Sequence, residues 1–224
     1  MQNRPVKEEC MFKVQDFMTT PVICTEPDAR ITDVLDIMKK NNLHRIPVTD
    51  ANGTLVGLIT EGMISGAGGN ATSLSIYELN YLLSKTKVKT VMQKRVATIH
   101  PENLMEKATE KMLKEDIGCL PVVDDHNKVV GILTQNDVFK SFLEVLGWYR
   151  EGIRVALEAK DEIGQLEKIS KVFADEGINI ANIGVYDTTN GNASMIIRAD
   201  KATDGLKQAL EDAGYMDVEI AKAE

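Results

Sequence analysis

The hydrophobic pattern of the N-terminal part of the chain occurs twice. In the first copy, apolar residues at helical spacing predict an amphipathic helix after Pro27. These residues are Ile31, Val34, Leu35 and Met38. Two short β-rich runs follow, "HRIPVTD" and "LVGLIT", with a turn at Asn52-Gly53 between them. The second copy has the same order, with "CLPVVDD" and "VVGILT" as its β-rich runs. Each copy therefore predicts a β-α-β-β-α unit, in which a short first strand precedes the helix.

The two copies align without a gap. Residues 14–64 match residues 88–138, and twelve of the 51 aligned positions are identical. The identical pairs are Val14/Val88, Met18/Met92, Val22/Val96, Pro27/Pro101, Met38/Met112, Lys40/Lys114, Pro47/Pro121, Val48/Val122, Asp50/Asp124, Val56/Val130, Gly57/Gly131 and Thr60/Thr134. A single unit would leave an apolar face uncovered, so we expect the two copies to pack on each other.

A helical linker is predicted between the copies. A glycine-rich loop comes first, and a capping box of Ser75 and Glu78 then begins a helix. Its apolar stripe consists of Leu79, Leu82 and Leu83. This stripe is expected to cover part of the paired units.

The C-terminal part has a different pattern. Strand-like runs at "IRVALEA", "INIANIGVYD", "ASMIIRA" and "YMDVEIAKA" alternate with two helical patterns, and Asn190-Gly191 is a hairpin signal. The order β-α-β-β-α-β is that of a ferredoxin-like fold. The sequence thus predicts an α/β (α+β) protein with units at residues 1–70, 88–147 and 152–224, and the linker at 71–87.

Composition and charge narrow the functional classes. The 224 residues carry a net charge of −8, which argues against nonspecific binding to nucleic acid or anionic lipid. From Gly152 onward, 8 basic and 14 acidic residues give −6. The N-terminus lacks an apolar signal core, and no run of eighteen apolar residues occurs, so a cytoplasmic protein is expected. The three widely spaced cysteines are expected to be reduced, mostly structural thiols.

Candidate chemistry lies where the last strand of the second copy passes into a helix, at Thr134-Gln135-Asn136-Asp137. A hydroxyl and unpaired backbone N–H groups at a helix start attract phosphate, and a carboxylate one turn later can accept hydrogen bonds from both ribose hydroxyls. Alternatively, Thr-x-x-Asp is only a helix cap. The first copy has Met63 at the position of Asp137. If the acid served only as a cap, the first copy would need it equally.

Both copies resemble CBS domains, and the pair resembles a Bateman module. Residues 18–60 and 92–137 carry the likeness, and they include the motif G-h-h-T/S-x-x-D in the second copy. In this family the motif binds adenosine derivatives, with Asp on the ribose and Thr on the phosphate. The resemblance implies a cleft with Thr134 and Asp137. Its base-side walls would be Thr98, Ile99, His100, Leu120 and Pro121. The first cleft, with Met63, would be empty or would bind differently through Thr60.

A basic pair, His44-Arg45, precedes the first β-rich run and looks like the pair that some CBS proteins point at nucleotide phosphates. Arg45 is suited to bidentate phosphate contact. A solvated pair at a strand start is an equal alternative. The histidines have no metal-ligand spacing, so no metal site is expected.

The C-terminal unit resembles an ACT domain through "DEIGQL" and "GINIANI", although Ile163 replaces the proline that usually precedes the loop glycine. In amino-acid-binding members this loop meets an Asn on the next strand across a dimer interface. The resemblance implies an amino-acid site at Asp161, Gly164 and Asn179. The alternative is a domain that only dimerises.

The order CBS, CBS, ACT resembles the acetoin utilization (AcuB) group of bacterial proteins. It implies a non-catalytic, homodimeric regulator that binds AMP, ADP or ATP, or else S-adenosylmethionine or cyclic di-AMP. A scaffold with vestigial clefts is the main alternative, and a nucleotide-processing enzyme is a weaker one, because no P-loop or nucleophile elbow occurs. The downstream protein target is open.

Overall fold

The computed structural model describes residues 12–68, 81, 83–189 and 191–223. Most of the predicted linker helix, including Ser75, Glu78, Leu79 and Leu82, lies outside these residues. The chain divides into two compact units, one up to Val138 and one from Phe139 onward. Among the described helices, none combines the length and the apolar character needed to cross a membrane.

The first unit contains both copies of the repeat. Its elements in chain order are α1 (Val14–Phe17), α2 (Ile31–Asn41), β1 (Arg45–Thr49), β2 (Leu55–Thr60), α3 (Glu61–Gly68), α4 (Val88–Val91), α5 (Met105–Glu115), β3 (Cys119–Val123), β4 (Val129–Thr134) and α6 (Gln135–Val145). Helix α6 continues past the boundary into the second unit. The short first strand predicted for each copy is only a single parallel bridge, at Thr25 in one copy and Ile99 in the other.

The two hairpins have the same register. In each, the first residue of one strand lies opposite the last residue of the next, Arg45 opposite Thr60 and Cys119 opposite Thr134. Both turns are closed by an aspartate whose Oδ1 accepts two backbone N–H bonds of 2.8–2.9 Å. These bonds, led by the one from Thr54 to Asp50 and the one from Lys128 to Asp124, hold the pKa of both carboxyls below the usual range.

Each copy completes the hydrophobic core of the other. Val14 of the N-terminal segment is fully buried in the core formed by α5, β3 and β4, whereas Val88 is fully buried in the core of α2, β1 and β2. Backbone bridges also join each segment to the other copy, one between Thr19 and Ile132 and one between Gln93 and Leu58. The expected packing of the two copies is therefore an exchange of segments.

Each exchanged segment forms ion pairs with the other copy, and the two sets of pairs occupy equivalent positions of the repeat. Lys13 Nζ lies 2.5 Å from Glu102 Oε2, and Asp28 Oδ1 lies 2.8 Å from the Nζ atoms of both Lys87 and Lys89. Hydrogen bonds from the two lysines lower the pKa of Asp28 to about 2.

A pair of glycines at equivalent positions of the two copies lets the exchanged segments approach closely. A Cβ on Gly57 would lie 2.6 Å from Met92 Sδ and 3.0 Å from the backbone oxygen of Gln93, and Met18 occupies the same place over Gly131. The position accepts no side chain without displacing the neighbouring segment.

The second unit is a four-stranded antiparallel sheet with two helices. Its elements are β5 (Ile153–Lys160), α7 (Gln165–Asp175), β6 (Ile180–Thr189), β7 (Asn192–Ala199), α8 (Leu206–Asp212) and β8 (Met216–Lys222). The strand order β6-β7-β5-β8 confirms the predicted ferredoxin-like arrangement. Its core lies between the sheet and the helices and includes the fully buried Phe173 and Leu210.

The substitution Gly57→Ala is expected to destabilise the first unit by about 1–3 kcal/mol, because the added methyl group meets a backbone oxygen that cannot rotate away. Urea unfolding of the purified protein measures the loss. Gly66→Ala is the matched control, since a Cβ there meets nothing within 4 Å and the residue is helical. Equal stability of the two variants would contradict the close approach.

Replacing Asp28 by Asn is expected to lower the melting temperature at pH 7 and to have little effect near pH 2. The folded-state pKa of about 2 lies below the unfolded value of roughly 4. The contribution of Asp28 is therefore present above about pH 4 and is lost as the pH falls toward 2. Thermal unfolding across this range tests it, with Asp36→Asn as the control. A difference between Asp28→Asn and the native protein that does not change with pH would contradict the ion pairs.

Candidate functional site

The Thr134–Asp137 segment lies at the junction of β4 and α6. Strand β4 ends at Thr134 beside Cys119, and α6 begins at Gln135, whose backbone N–H donates to the carbonyl of Gly118 at 3.2 Å. The carboxylate of Asp137 is therefore placed in the first turn of an eleven-residue helix, next to the start of β3.

Thr134 and Asp137 form a reciprocal cap. The backbone N–H and the hydroxyl of Thr134 both donate to Asp137 Oδ2, at 2.8 and 2.7 Å, and the Asp137 N–H lies 3.4 Å from Thr134 Oγ1. The capping alternative raised from the sequence thus describes the structure. The cap uses only one carboxylate oxygen, and Asp137 Oδ1 accepts no hydrogen bond from the described residues.

The first copy keeps half of this cap. The backbone N–H of Met63 donates to Thr60 Oγ1 at 3.2 Å. At the position of Asp137 the first copy has Met63, which has no carboxylate to accept a hydrogen bond from the Thr60 N–H. Helix α3 therefore begins without the acid. The carboxylate in the second copy provides an acceptor that the first copy lacks.

The segment proposed as the base-side wall runs parallel to β3. Ile99 exchanges backbone hydrogen bonds with Pro121 and Val123, of 3.1 and 2.9 Å. The side chains of Ile99 and Leu120 belong to the core, and Pro121 is also buried. A ligand could meet these three residues mainly through their backbone.

Thr98 and His100 are the more accessible members of that wall. His100 is half exposed, and its Nδ1 lies 3.6 Å from Asp125 Oδ1. The carbonyl of Thr98 accepts a hydrogen bond of 2.8 Å from Lys111 Nζ. The sequence reasoning missed Lys111, although the repeat offered a signal, because the equivalent residue of the first copy is the apolar Ile37.

The structure separates His44 from Arg45. His44 Nδ1 contacts Glu61 Oε2 within its own copy, at 2.8 Å. Arg45 instead reaches the second copy. A Cβ on Gly118 would lie 2.5 Å from Arg45 Nη2 and 3.3 Å from Gln135 Oε1.

The Arg45 guanidinium thus lies beside the first residue of α6. It forms no ion pair with a described residue. Burial raises the pKa of the neighbouring Cys119 thiol, and the charge of Arg45 opposes this shift.

The three ACT residues do not meet within one chain. The Asp161 N–H donates to the carbonyl of Gly191 just before β7, whereas the Asn179 N–H donates to Asp200 Oδ1 just after it. Asp161 and Asn179 therefore lie at opposite ends of β7. Gly164 has a φ of +88° and precedes α7, a conformation that suits glycine. A meeting across a dimer interface stays a prediction.

Comparison with known proteins agrees with this architecture. The CBS domain model matches residues 14–67 and 88–144, and the ACT domain model matches residues 153–213. The CBS domain pair of protein MJ0100, in complex with 5′-methylthioadenosine and S-adenosyl-L-methionine, is 30% identical with a TM-score of 0.50. The match covers 59% of this chain and 96% of that one. The chain therefore belongs to the CBS-domain proteins, as a tandem CBS pair followed by a C-terminal ACT domain.

Two further solved structures are similar to the CBS pair. CBSX2 of Arabidopsis thaliana, in complex with AMP, is 29% identical over 60% of this chain and 98% of that chain, with a TM-score of 0.51. A protein assigned to acetoin utilization (AcuB) from Vibrio cholerae is 27% identical over 62% of this chain and 96% of that chain, with a TM-score of 0.52. The chain spans only 25% and 46% of the length of the first two curated relatives that it matches.

Proposed function

We propose that the protein is a non-catalytic regulator that binds a phosphorylated adenosine in its second CBS cleft. The proposal rests on the carboxylate of Asp137. Its Oδ2 accepts the hydrogen bonds that cap α6, while its Oδ1 accepts no hydrogen bond from the described residues. A ribose with two adjacent hydroxyls can donate to this oxygen without breaking the cap. The AMP complex of CBSX2 and the adenosine ligands of protein MJ0100 support the ligand class.

The position of Arg45 favours a ligand with phosphate. Its guanidinium lies beside Gln135 at the start of α6, where backbone N–H groups and the helix dipole also attract anions. The same charge repels the sulfonium of S-adenosylmethionine. Among the candidates, AMP, ADP and ATP are therefore preferred to S-adenosylmethionine, and cyclic di-AMP remains compatible with the site.

The base-side contacts follow from the same geometry. Adenine would lie against the backbone of residues 98–100 and of Leu120 and Pro121, with His100 and Lys111 at the accessible edge. In the first cleft, Met63 stands at the position of Asp137 and offers no carboxylate to a ribose. We propose one nucleotide per chain.

The regulatory role extends to the ACT domain. Binding in the CBS pair would act on a partner protein by favouring one conformation, which requires that the ligand bind two conformations with different affinity. We propose that the protein acts as a cytoplasmic homodimer, and that Asp161 and Gly164 of one chain meet Asn179 of the other around an amino acid. A role in acetoin or related carbon metabolism is proposed from the similarity to the AcuB protein.

A scaffold with unused clefts is the second candidate, and the cap at Thr134 and Asp137 favours it, because the cap alone accounts for both side chains. An enzyme is disfavoured. Relatives that are enzymes, a sulfurtransferase and several acetyltransferases, match this chain over only about a quarter of their length.

Asp137→Ala is expected to weaken AMP or ATP binding by about 1.5–3 kcal/mol, roughly tenfold or more, because it removes a charged acceptor of ribose hydrogen bonds. Isothermal titration measures the affinity and the stoichiometry. The cap is lost as well, at a cost of about 0.5–2 kcal/mol in stability. Asp137→Asn therefore accompanies it, since an amide oxygen can keep the cap without the charge. Asp36→Asn, at an exposed position of α2, is the control. Unchanged affinity in both Asp137 variants would refute the ribose assignment.

We expect the native protein to bind AMP more tightly than adenosine, and ATP more tightly than AMP. Arg45→Gln is expected to remove most of these differences, while its affinity for adenosine stays that of the native protein. The reason is that Arg45 faces the helix start and has no carboxylate partner among the described residues. His44→Gln is the matched control, because His44 pairs with Glu61. If both variants lose affinity equally for adenosine and ATP, Arg45 does not contact phosphate.

A further inference from the structure

Two arginines lie directly opposite each other on the second unit's sheet. Arg154 of β5 pairs with Arg198 of β7. The alternating residues Val155 and Ile197 face the helices and belong to the core, so both arginines lie on the opposite face of the sheet. Like charges in opposed positions destabilise a strand pair. A bound anion between the two guanidinium groups would offset this repulsion.

A third arginine and an amide converge on the same place. Gly147, with a φ of +67°, follows α6, and a Cβ built on it would lie 3.3 Å from Arg198 Cδ, 3.4 Å from Asn182 Cβ and 3.8 Å from Arg150 Cδ. Asn182 lies opposite Arg198 on β6. Side chains of β6, of β7 and of the loop after α6 therefore surround Gly147.

Arg198 is the unusual member of this cluster. It is only 5% exposed, and its Nη1 is buried with no hydrogen-bond partner among the described residues. Its Cζ lies 5.0 Å from the centre of the Trp148 ring, so one face of the guanidinium is occupied by an aromatic ring. The in-plane N–H groups are the part left to bind an acceptor.

The end of helix α6 does not supply that acceptor. The last four carbonyls of the helix accept hydrogen bonds from the N–H groups of Leu146, Trp148 and Gly147, and from Asn182 Nδ2. All four are therefore satisfied without Arg198. A purely structural role of Arg198 as a helix cap is not needed.

Nor do carboxylates of the described chain neutralise the cluster. Glu158 and Glu219 share this face of the sheet, but neither forms an ion pair with Arg150, Arg154 or Arg198. The chain from Gly152 onward carries −6. Acidic groups are thus abundant in this part of the protein, and the three arginines still have no carboxylate partner among the described residues.

We propose that Arg154 and Arg198 bind a small organic carboxylate on this face of the ACT sheet. The carboxylate accepts hydrogen bonds from Arg198 Nη1 and from the Arg154 guanidinium, and Arg150 adds a third positive charge. Trp148, which is 41% exposed, and the half-buried Ile196 form apolar walls for the rest of the molecule. These walls favour an organic acid over inorganic phosphate. Because Nη1 is covered, the carboxylate would approach it from the side of the Trp148 ring, which is the exposed part of the cluster.

The chain offers a direct probe of the site, because Trp148 is its only tryptophan. The full-length protein is titrated with sodium acetate, butyrate and hexanoate while Trp148 emission is recorded, with chloride and inorganic phosphate at the same ionic strength. We expect a saturable change that requires less ligand as the acid lengthens. Chloride and phosphate are expected to give no saturable change.

Variants assign the response to the two arginines. Arg154→Gln is expected to weaken the response to butyrate by about tenfold, and Arg154→Lys by less, because lysine keeps the charge without the fork. Lys160→Gln, at the far end of β5, is the matched control and is expected to bind as the native protein does. Asp137→Asn is expected to bind as well as native, which separates this site from the nucleotide cleft.

The proposal is overturned if no carboxylate gives a saturable change, if phosphate binds as tightly as butyrate, or if Arg154→Gln and Lys160→Gln behave alike. Circular dichroism and thermal unfolding establish that Arg154→Gln is folded. Should it prove unfolded, Arg154→Lys decides the question, since undiminished binding in that variant would exclude a forked contact by Arg154.

Discussion

The first unit depends on one constraint, which is that neither copy of the repeat has a complete core of its own. Val14 fills the core of the second copy and Val88 fills that of the first, and both are fully buried. The same two segments also make the close contacts with Gly57 and Gly131 and the ion pairs with Glu102 and Asp28. The hairpins are held in one relative position as a result, and Arg45 of the first copy reaches the helix start of the second. The contact of Arg45 with the start of α6 joins residues of both copies, and it depends on the exchange of segments.

In the candidate cleft, Asp137 has a structural use as a cap and a proposed use in ribose binding. Asp137 caps α6 through Oδ2, and this bond keeps the carboxylate in one orientation before any ligand arrives. A carboxylate held in this way loses less side-chain entropy on binding than one that rotates in solvent. The capping and the ribose-binding alternatives are therefore compatible. The first copy has only part of this arrangement. The Thr60 hydroxyl caps α3 without a carboxylate partner, because Met63 carries no charge.

The sequence was most informative where its periodicity was repeated. The gapless alignment predicted both hairpins and both long helices, and the alternating pattern after Gly152 predicted the antiparallel sheet. The first strand of each copy was predicted as an element and is a single bridge, because its residues pair at only one position, Thr25 or Ile99. The exchange of segments could not be predicted, because the two cores have similar patterns of apolar positions and such a pattern does not specify which copy's valine fills which core. For the same reason His44 and Arg45 were treated as a pair, although their side chains face different copies. Lys111 and the arginines of the sheet were missed because their neighbours are distant in the chain.

The exchange of segments also bears on how such a chain can arise. A protein with one copy alone would extend its N-terminal segment without receiving one in return, and a second molecule would have to supply the missing valine. Two single copies would therefore associate as a swapped dimer, whose formation depends on concentration. Joining the copies in one chain makes this association intramolecular, at an effective concentration on the order of millimolar. It also allows the two halves to diverge, so that one can keep an aspartate at a position where the other has a methionine.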